Sequence, residues 1–219
     1  NVANLSLVFG SMLLIVSIKK LNIDQKKTII PNLIILLGSS LLVWILIATD
    51  PFSIYSSIIL IVSLFFVILF WYKNSDASEM VNTEQIENKV FIKLLFSLIA
   101  LVFAAWLITF GANLILDKYN LGQLFIGYTV LAIGTSLPEI AASISLALKG
   151  RYEAVSGTLI GSNIFNGLCV LSIPGLFRRP EMSYGWNYEE WYPLLIILFL
   201  ITLLFSLYIY MLSMRERKA

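Results

Sequence analysis

Runs of about twenty apolar residues, recurring along most of the chain, limit what this sequence can fold into. They lie at roughly 1–18, 29–49, 51–72, 94–116, 121–148, 152–176 and 191–213. An α-helix rises about 1.5 Å per residue, so about 20 residues cross a hydrocarbon core about 30 Å thick. Stretches such as 94–103 and 194–205 show almost no polar face, which a soluble helix keeps. Charged residues make up 13% of the chain, against about a quarter in a soluble domain. The expected fold class is therefore an all-α polytopic membrane protein with about seven transmembrane helices.

Several function classes are excluded early. The single cysteine, Cys169, permits neither an internal disulfide nor a cysteine metal cage. With no histidine, the commonest catalytic base and zinc ligand is missing. A net charge of +2 gives no reason to expect nucleic acid as a partner. The opening Asn1-Val2-Ala3-Asn4 lies already inside an apolar run, with neither Met nor a basic leader, so it reads as a sequence entered partway through a helix.

The clearest internal boundary is a hydrophilic linker at 73–93, containing Asp76, Glu79, Glu84 and Glu87. Basic residues divide sharply between alternate loops. One set holds Lys19, Lys20, Lys26, Lys27, Lys73, Lys89, Lys93, Lys149, Arg151, Arg215, Arg217 and Lys218; the other holds only Lys118, Arg178 and Arg179. The first set is expected to be cytoplasmic, which puts the start of the chain outside the cell membrane and its end inside. Trp71, Tyr72, Trp186, Trp191 and Tyr192 fall near span ends, where amphipathic rings favour the interface.

Of the 13 acids, only Glu139 lies well inside a span. An ionisable group at the bilayer centre costs about 2.5–3.5 kcal/mol on insertion scales, so it usually marks an ion path, a proton relay or a pairing partner. Its context is Gly134-Thr135-Ser136-Leu137-Pro138-Glu139. Helical spacing lets both hydroxyls share a face with the carboxylate. Pro138 cannot donate to the Gly134 carbonyl and predicts a broken or kinked helix. Hydroxyls and freed carbonyls beside a carboxylate form a hard-oxygen set suited to Na⁺ or Ca²⁺.

The following span adds Ser162 and Asn166, four apart on one face, and the pair Gly157 and Gly161, whose spacing permits close helix approach. Blander readings stand beside these. Ser143, Ser145 and Ser172 are expected to bond backwards along their own helices. Asn163 and Asn166 serve as helix–helix glue as readily as ligands. The combination of Glu139, Ser136 and Pro138 is costly and converges on one place, which favours function over packing.

The start of the chain echoes this region. Asn1-Val2-Ala3-Asn4-Leu5 aligns with Asn163-Ile164-Phe165-Asn166-Gly167, so Asn4 corresponds to Asn166. The charge-derived topology runs the two segments in opposite directions, as in the inverted repeats of secondary transporters.

Gly134-Thr135-Ser136-Leu137-Pro138-Glu139 and Gly161-Ser162-Asn163-Ile164-Phe165-Asn166 resemble the second α-repeat of the cation/calcium antiporter superfamily, most closely its prokaryotic sodium/calcium exchanger branch. The resemblance implies ten spans in two inverted halves of five. On that scheme 1–72 is the remainder of the first half with three spans, 73–93 a cytoplasmic linker, and 94–219 the second half with four. The first two spans and the last would be missing, together with the half-repeat that completes the site. It further implies that Thr135, Ser136, Glu139, Ser162 and Asn166 line the cation sites, with Asn4 contributing from the other half. Ile140 stands where proton-coupled calcium exchangers carry a histidine, which argues against that branch.

The expected function is secondary antiport of Na⁺ for Ca²⁺ by alternating access, with both ions as transported substrates, no cofactor and no enzyme activity. The alternatives are a same-fold exchanger of other cations, Na⁺/H⁺ or K⁺-dependent, then a cation channel, although no repeated carbonyl filter motif is visible. An intramembrane protease lacks both histidine and an aspartate pair, and a purely structural subunit leaves Glu139 unexplained.

Overall fold

The computed structural model describes residues 1–18, 29–74, 88–119, 131–177 and 188–215. Every regular element among them is helical. The first is a π-helical turn, Asn4–Val8, which leads into α1, Phe9–Ile18. There follow α2, Ile30–Thr49; α3, Ile54–Asn74; α4, Asn88–Tyr119; α5, Ala132–Leu148; and α6, Tyr152–Leu168. A 3₁₀ turn at Val170–Ser172 joins α6 to the short α7, Ile173–Leu176, and α8 covers Tyr188–Arg215.

Five of these stretches are long and apolar enough to cross a membrane: Ile30–Thr49, Ile54–Asn74, Phe91–Ala112, Tyr152–Leu176 and Tyr192–Met214. Shorter apolar helices, Asn4–Ile15 and Ala132–Leu148, occupy the other two expected positions. The chain is an all-α polytopic membrane protein. The first part of the apolar segment at 121–148, most of the acidic linker, and the loops carrying Lys19 to Lys27 and Arg178 to Trp186 lie outside the described residues, as does the end of the chain beyond Arg215. Helix α3 runs on to Asn74 and α4 begins at Asn88, so the hydrophilic segment is helical at both its edges.

The chain divides into two compact units, Asn1–Lys73 with Glu139–Ala219, and Asn74–Pro138. The division falls inside α5, between Pro138 and Glu139.

In the first unit, α2 packs against α6 and α8, and the π-helical turn packs against α6 and α8 as well. The sequence explains why α6 sits centrally. Its buried residues, Tyr152, Val155, Ser156, Leu159, Ile160, Asn163, Ile164, Gly167 and Leu168, recur at three and four positions and form one continuous stripe. Helix α2 presents a narrower stripe of Leu33, Leu36, Val43 and Ile47. Val8, Met12, Leu159, Ile164 and Ile209 are fully enclosed where these surfaces meet.

Turn chemistry sets the ends. Pro31 occupies the first turn of α2, where its missing N–H costs nothing. Ser53 accepts from the Ser56 N–H at 3.1 Å and caps α3. Gly150, at φ +71°, closes α5: its N–H donates to the Ala147 carbonyl and that of Arg151 to Leu146, both at 3.0 Å. Gly175 in α7 lies so close to α3 that a Cβ there would meet the carbonyl oxygens of Ser53 at 2.7 Å and Phe52 at 2.9 Å.

At Gly157 and Gly161, whose spacing permits a close approach, a Cβ would meet nothing within 4 Å among the described residues.

In the second unit, α4 exposes Phe103, Trp106 and Phe110, stacked at 5.9 and 5.5 Å, as a helix facing hydrocarbon does. Gly134 allows the first turn of α5 to approach α4, where a Cβ would lie 3.1 Å from Ile108 Cγ2.

Candidate cation site

Helix α5 carries Thr135, Ser136 and Glu139, and it is continuous through Pro138 rather than broken. Proline removes one hydrogen bond, to Gly134, and transmembrane helices tolerate this when neighbouring bonds hold the ladder. Thr135 Oγ1 donates to the Leu131 carbonyl at 2.8 Å, and Ser136 Oγ donates to Ala132 at 2.8 Å. Both hydroxyl protons are thus directed back along the helix. Ser136 is buried and Thr135 exposed. Both fall in the second unit.

Glu139 belongs to the first unit and is half-buried. The other first-unit candidates, Asn4, Ser162 and Asn166, lie on the π-helical turn and on α6. Asn4 is 4% exposed, and its Nδ2 donates to Ser162 Oγ at 3.5 Å. Ser162 in turn donates to the Leu159 carbonyl at 3.3 Å. Asn166, half-buried, lies one turn further along α6. One turn before Asn4, Asn1 Nδ2 donates to the Asn163 carbonyl oxygen at 3.1 Å. The segment whose sequence echoes α6 therefore lies directly against it: Asn1 meets its aligned residue Asn163, and Asn4 meets Ser162.

The sequence did not reveal the π-helical turn that begins at Asn4. Such turns insert one extra residue and recur at functional sites, but an apolar run reads the same in either helix type. Ser172 bonds back to Cys169 at 2.6 Å, as expected. Ser143 does not: its hydroxyl is buried and has no hydrogen-bond partner among the described residues.

Among the described residues no group of three or more His, Cys, Asp or Glu side chains gathers. Of the candidate residues, Glu139 carries the one carboxylate and the others carry neutral hydroxyl or amide groups.

Comparison with known proteins places the chain in a family. The sequence profile of the family described as sodium/calcium exchanger protein matches residues 89–218. A putative antiporter, CaxA, of Alkalimonas amylolytica is 45% identical over 80 residues, covering 36% of this chain and 25% of that protein. The inner membrane protein YrbG of Escherichia coli is 32% identical over 120 residues, covering 53% of this chain and 35% of that protein. The sodium/calcium exchanger MaX1 of Methanosarcina acetivorans is 31% identical over 106 residues, covering 38% and 30% respectively. The chain thus spans between a quarter and about a third of the length of these curated relatives. No solved structure matches it.

Proposed function

Because the chain belongs to the sodium/calcium exchanger protein family, we propose that it forms part of a secondary antiporter that exchanges Na⁺ for Ca²⁺ across the cell membrane. The observation that supports this reading is the contact of the Asn4 turn with α6, in which the side-chain amides of Asn1 and Asn4 donate to the Asn163 carbonyl and the Ser162 hydroxyl. Thr135, Ser136, Ser162, Asn166 and Asn4 supply neutral oxygens, and Glu139 supplies charge. Na⁺ and Ca²⁺ compete for these overlapping positions, and the protein opens them alternately to either side. A sodium gradient then drives calcium out of the cell.

The inverted echo supports a two-halves architecture, with 1–72 and 94–219 on either side of a cytoplasmic linker at 73–93. A second half-repeat completes the site. The asymmetry of basic residues supports a cytoplasmic C-terminus.

The test uses sealed vesicles carrying the full-length protein, loaded with Na⁺ and supplied with radiolabelled calcium. Wild-type uptake is expected to collapse when the Na⁺ gradient is abolished, and Glu139→Gln to reduce uptake to background. Undiminished uptake by the variant sinks the proposal. Calcium-independent flux that follows a pH gradient favours a sodium/proton exchanger instead.

A further inference from the structure

Asn163 has no part in the site proposed above, yet it is an unusual residue. It is 3% exposed, and its side-chain Oδ1 has no hydrogen-bond partner among the described residues. The amide orientation is fixed, because Nδ2 donates to the Leu159 carbonyl at 2.7 Å and a flipped amide would set two oxygens against each other. A buried acceptor left unpaired forfeits the hydrogen bonds it had to water. The position therefore calls for a donor.

A small cavity lies between α2, α6 and α8, lined by Asn163, Asn1, Ser39, Ser40, Thr202 and Gly167, with apolar neighbours. Its volume of about 10 Å³ is close to the roughly 10–15 Å³ that one water needs. The hydroxyls around it have committed their protons. Ser39 donates to Leu36 and Ser40 to Leu37, both at 2.9 Å, and Thr202 donates to Leu198 at 2.7 Å. Each oxygen therefore offers only lone pairs inward. Asn1 already spends one amide hydrogen on the Asn163 backbone oxygen.

Such a lining accepts one small electropositive guest, either a water molecule or a sodium ion. Charge decides between them. None of the lining residues is acidic, and a buried ion without a paired carboxylate carries a desolvation cost that neutral oxygens alone offset poorly. We propose that this cavity binds a single water molecule, which donates one hydrogen to Asn163 Oδ1 and the other to a hydroxyl of Ser39, Ser40 or Thr202. The water bridges α6 to α2 or α8 and steadies the helix that carries Ser162 and Asn166. It does so whichever ion the protein transports.

The test is a structure of the full-length protein at a resolution that shows ordered water, determined once in sodium and once in thallium. A peak about 2.7–3.1 Å from Asn163 Oδ1 is expected in both, without anomalous signal in the thallium crystal. A thallium signal in the cavity overturns the proposal in favour of a cation, and the lack of any peak overturns it outright. Asn163→Leu removes the acceptor at similar shape, and its structure should lose the peak; a peak that persists counts against the proposal. If that variant does not fold, the wild-type pair of crystals still decides.

Discussion

The side-chain amide of Asn4 reaches the hydroxyl of Ser162 at 3.5 Å, joining positions 158 residues apart. At that length the bond is weak, and interhelical hydrogen bonds in membranes average only about 0.6 kcal/mol. Its importance lies in orientation: Nδ2 turned to Ser162 fixes where the amide oxygen of Asn4 points.

Asn4→Ala and Ser162→Ala should therefore lower thermal stability by no more than about 1 kcal/mol each. Both should weaken calcium uptake several-fold, read as a raised half-saturating concentration. A double variant no worse in uptake than either single one would show that the two act as a unit. Losses that simply add would refute the coupling.

Gly175 is enclosed by backbone. A Cβ there meets the carbonyl oxygens of Ser53 and Phe52 at 2.7 and 2.9 Å, as well as the Ser57 hydroxyl. Gly175→Ala is expected to destabilise by about 1–3 kcal/mol, the usual cost of overpacking. Trimming the flexible neighbour with Ser57→Ala should not restore stability, because the backbone oxygens stay. Full rescue in a detergent melting assay would show that the approach is less tight than drawn.

Pro138 sits inside an unbroken helix. Pro138→Ala restores an N–H that can donate to Gly134 and removes the ring clash, worth up to about 3 kcal/mol in a helix interior. The melting temperature should hold or rise, while calcium uptake falls if the Gly134 carbonyl serves an ion. A clear drop in melting temperature would mean that the proline shapes the helix after all.

Trp71 Nε1 donates to Asn32 Oδ1 at 2.9 Å, tying the end of α3 to the start of α2. Trp71→Phe and Asn32→Leu should show a coupling of about 0.5–1 kcal/mol in a double-mutant unfolding cycle. No measurable coupling would reduce the contact to coincidence.

Much of the fold was legible because it rests on period. The stripes on α2 and α6 can be read directly from Leu33, Leu36, Val43 and Ile47, and from Tyr152 through Leu168. Other features escaped for identifiable reasons. The spacing of Gly157 and Gly161 says that a close approach is permitted, not that it is made; Gly175, which makes one, sits in no repeating pattern. Proline at position 138 predicts a break from local chemistry alone, whereas the surrounding ladder decides whether one occurs. The contact of Asn4 with Ser162 spans most of the chain, so only the motif echo hinted at it. The spacing of Asn163 suits glue and ligand alike, and says nothing of an unpaired buried oxygen beside a cavity.

The π-helical turn at Asn4–Val8 carries a further consequence. A π turn holds one residue more than an α turn, and each residue advances a helix by about 100°. Asn1 and Asn4, at its leading end, are thus set out of phase with the helix that follows. Relaxing that single turn to α geometry would swing both side chains around the axis and take Asn4 off Ser162. The grip between the two echoing segments therefore depends on the winding of one helical turn.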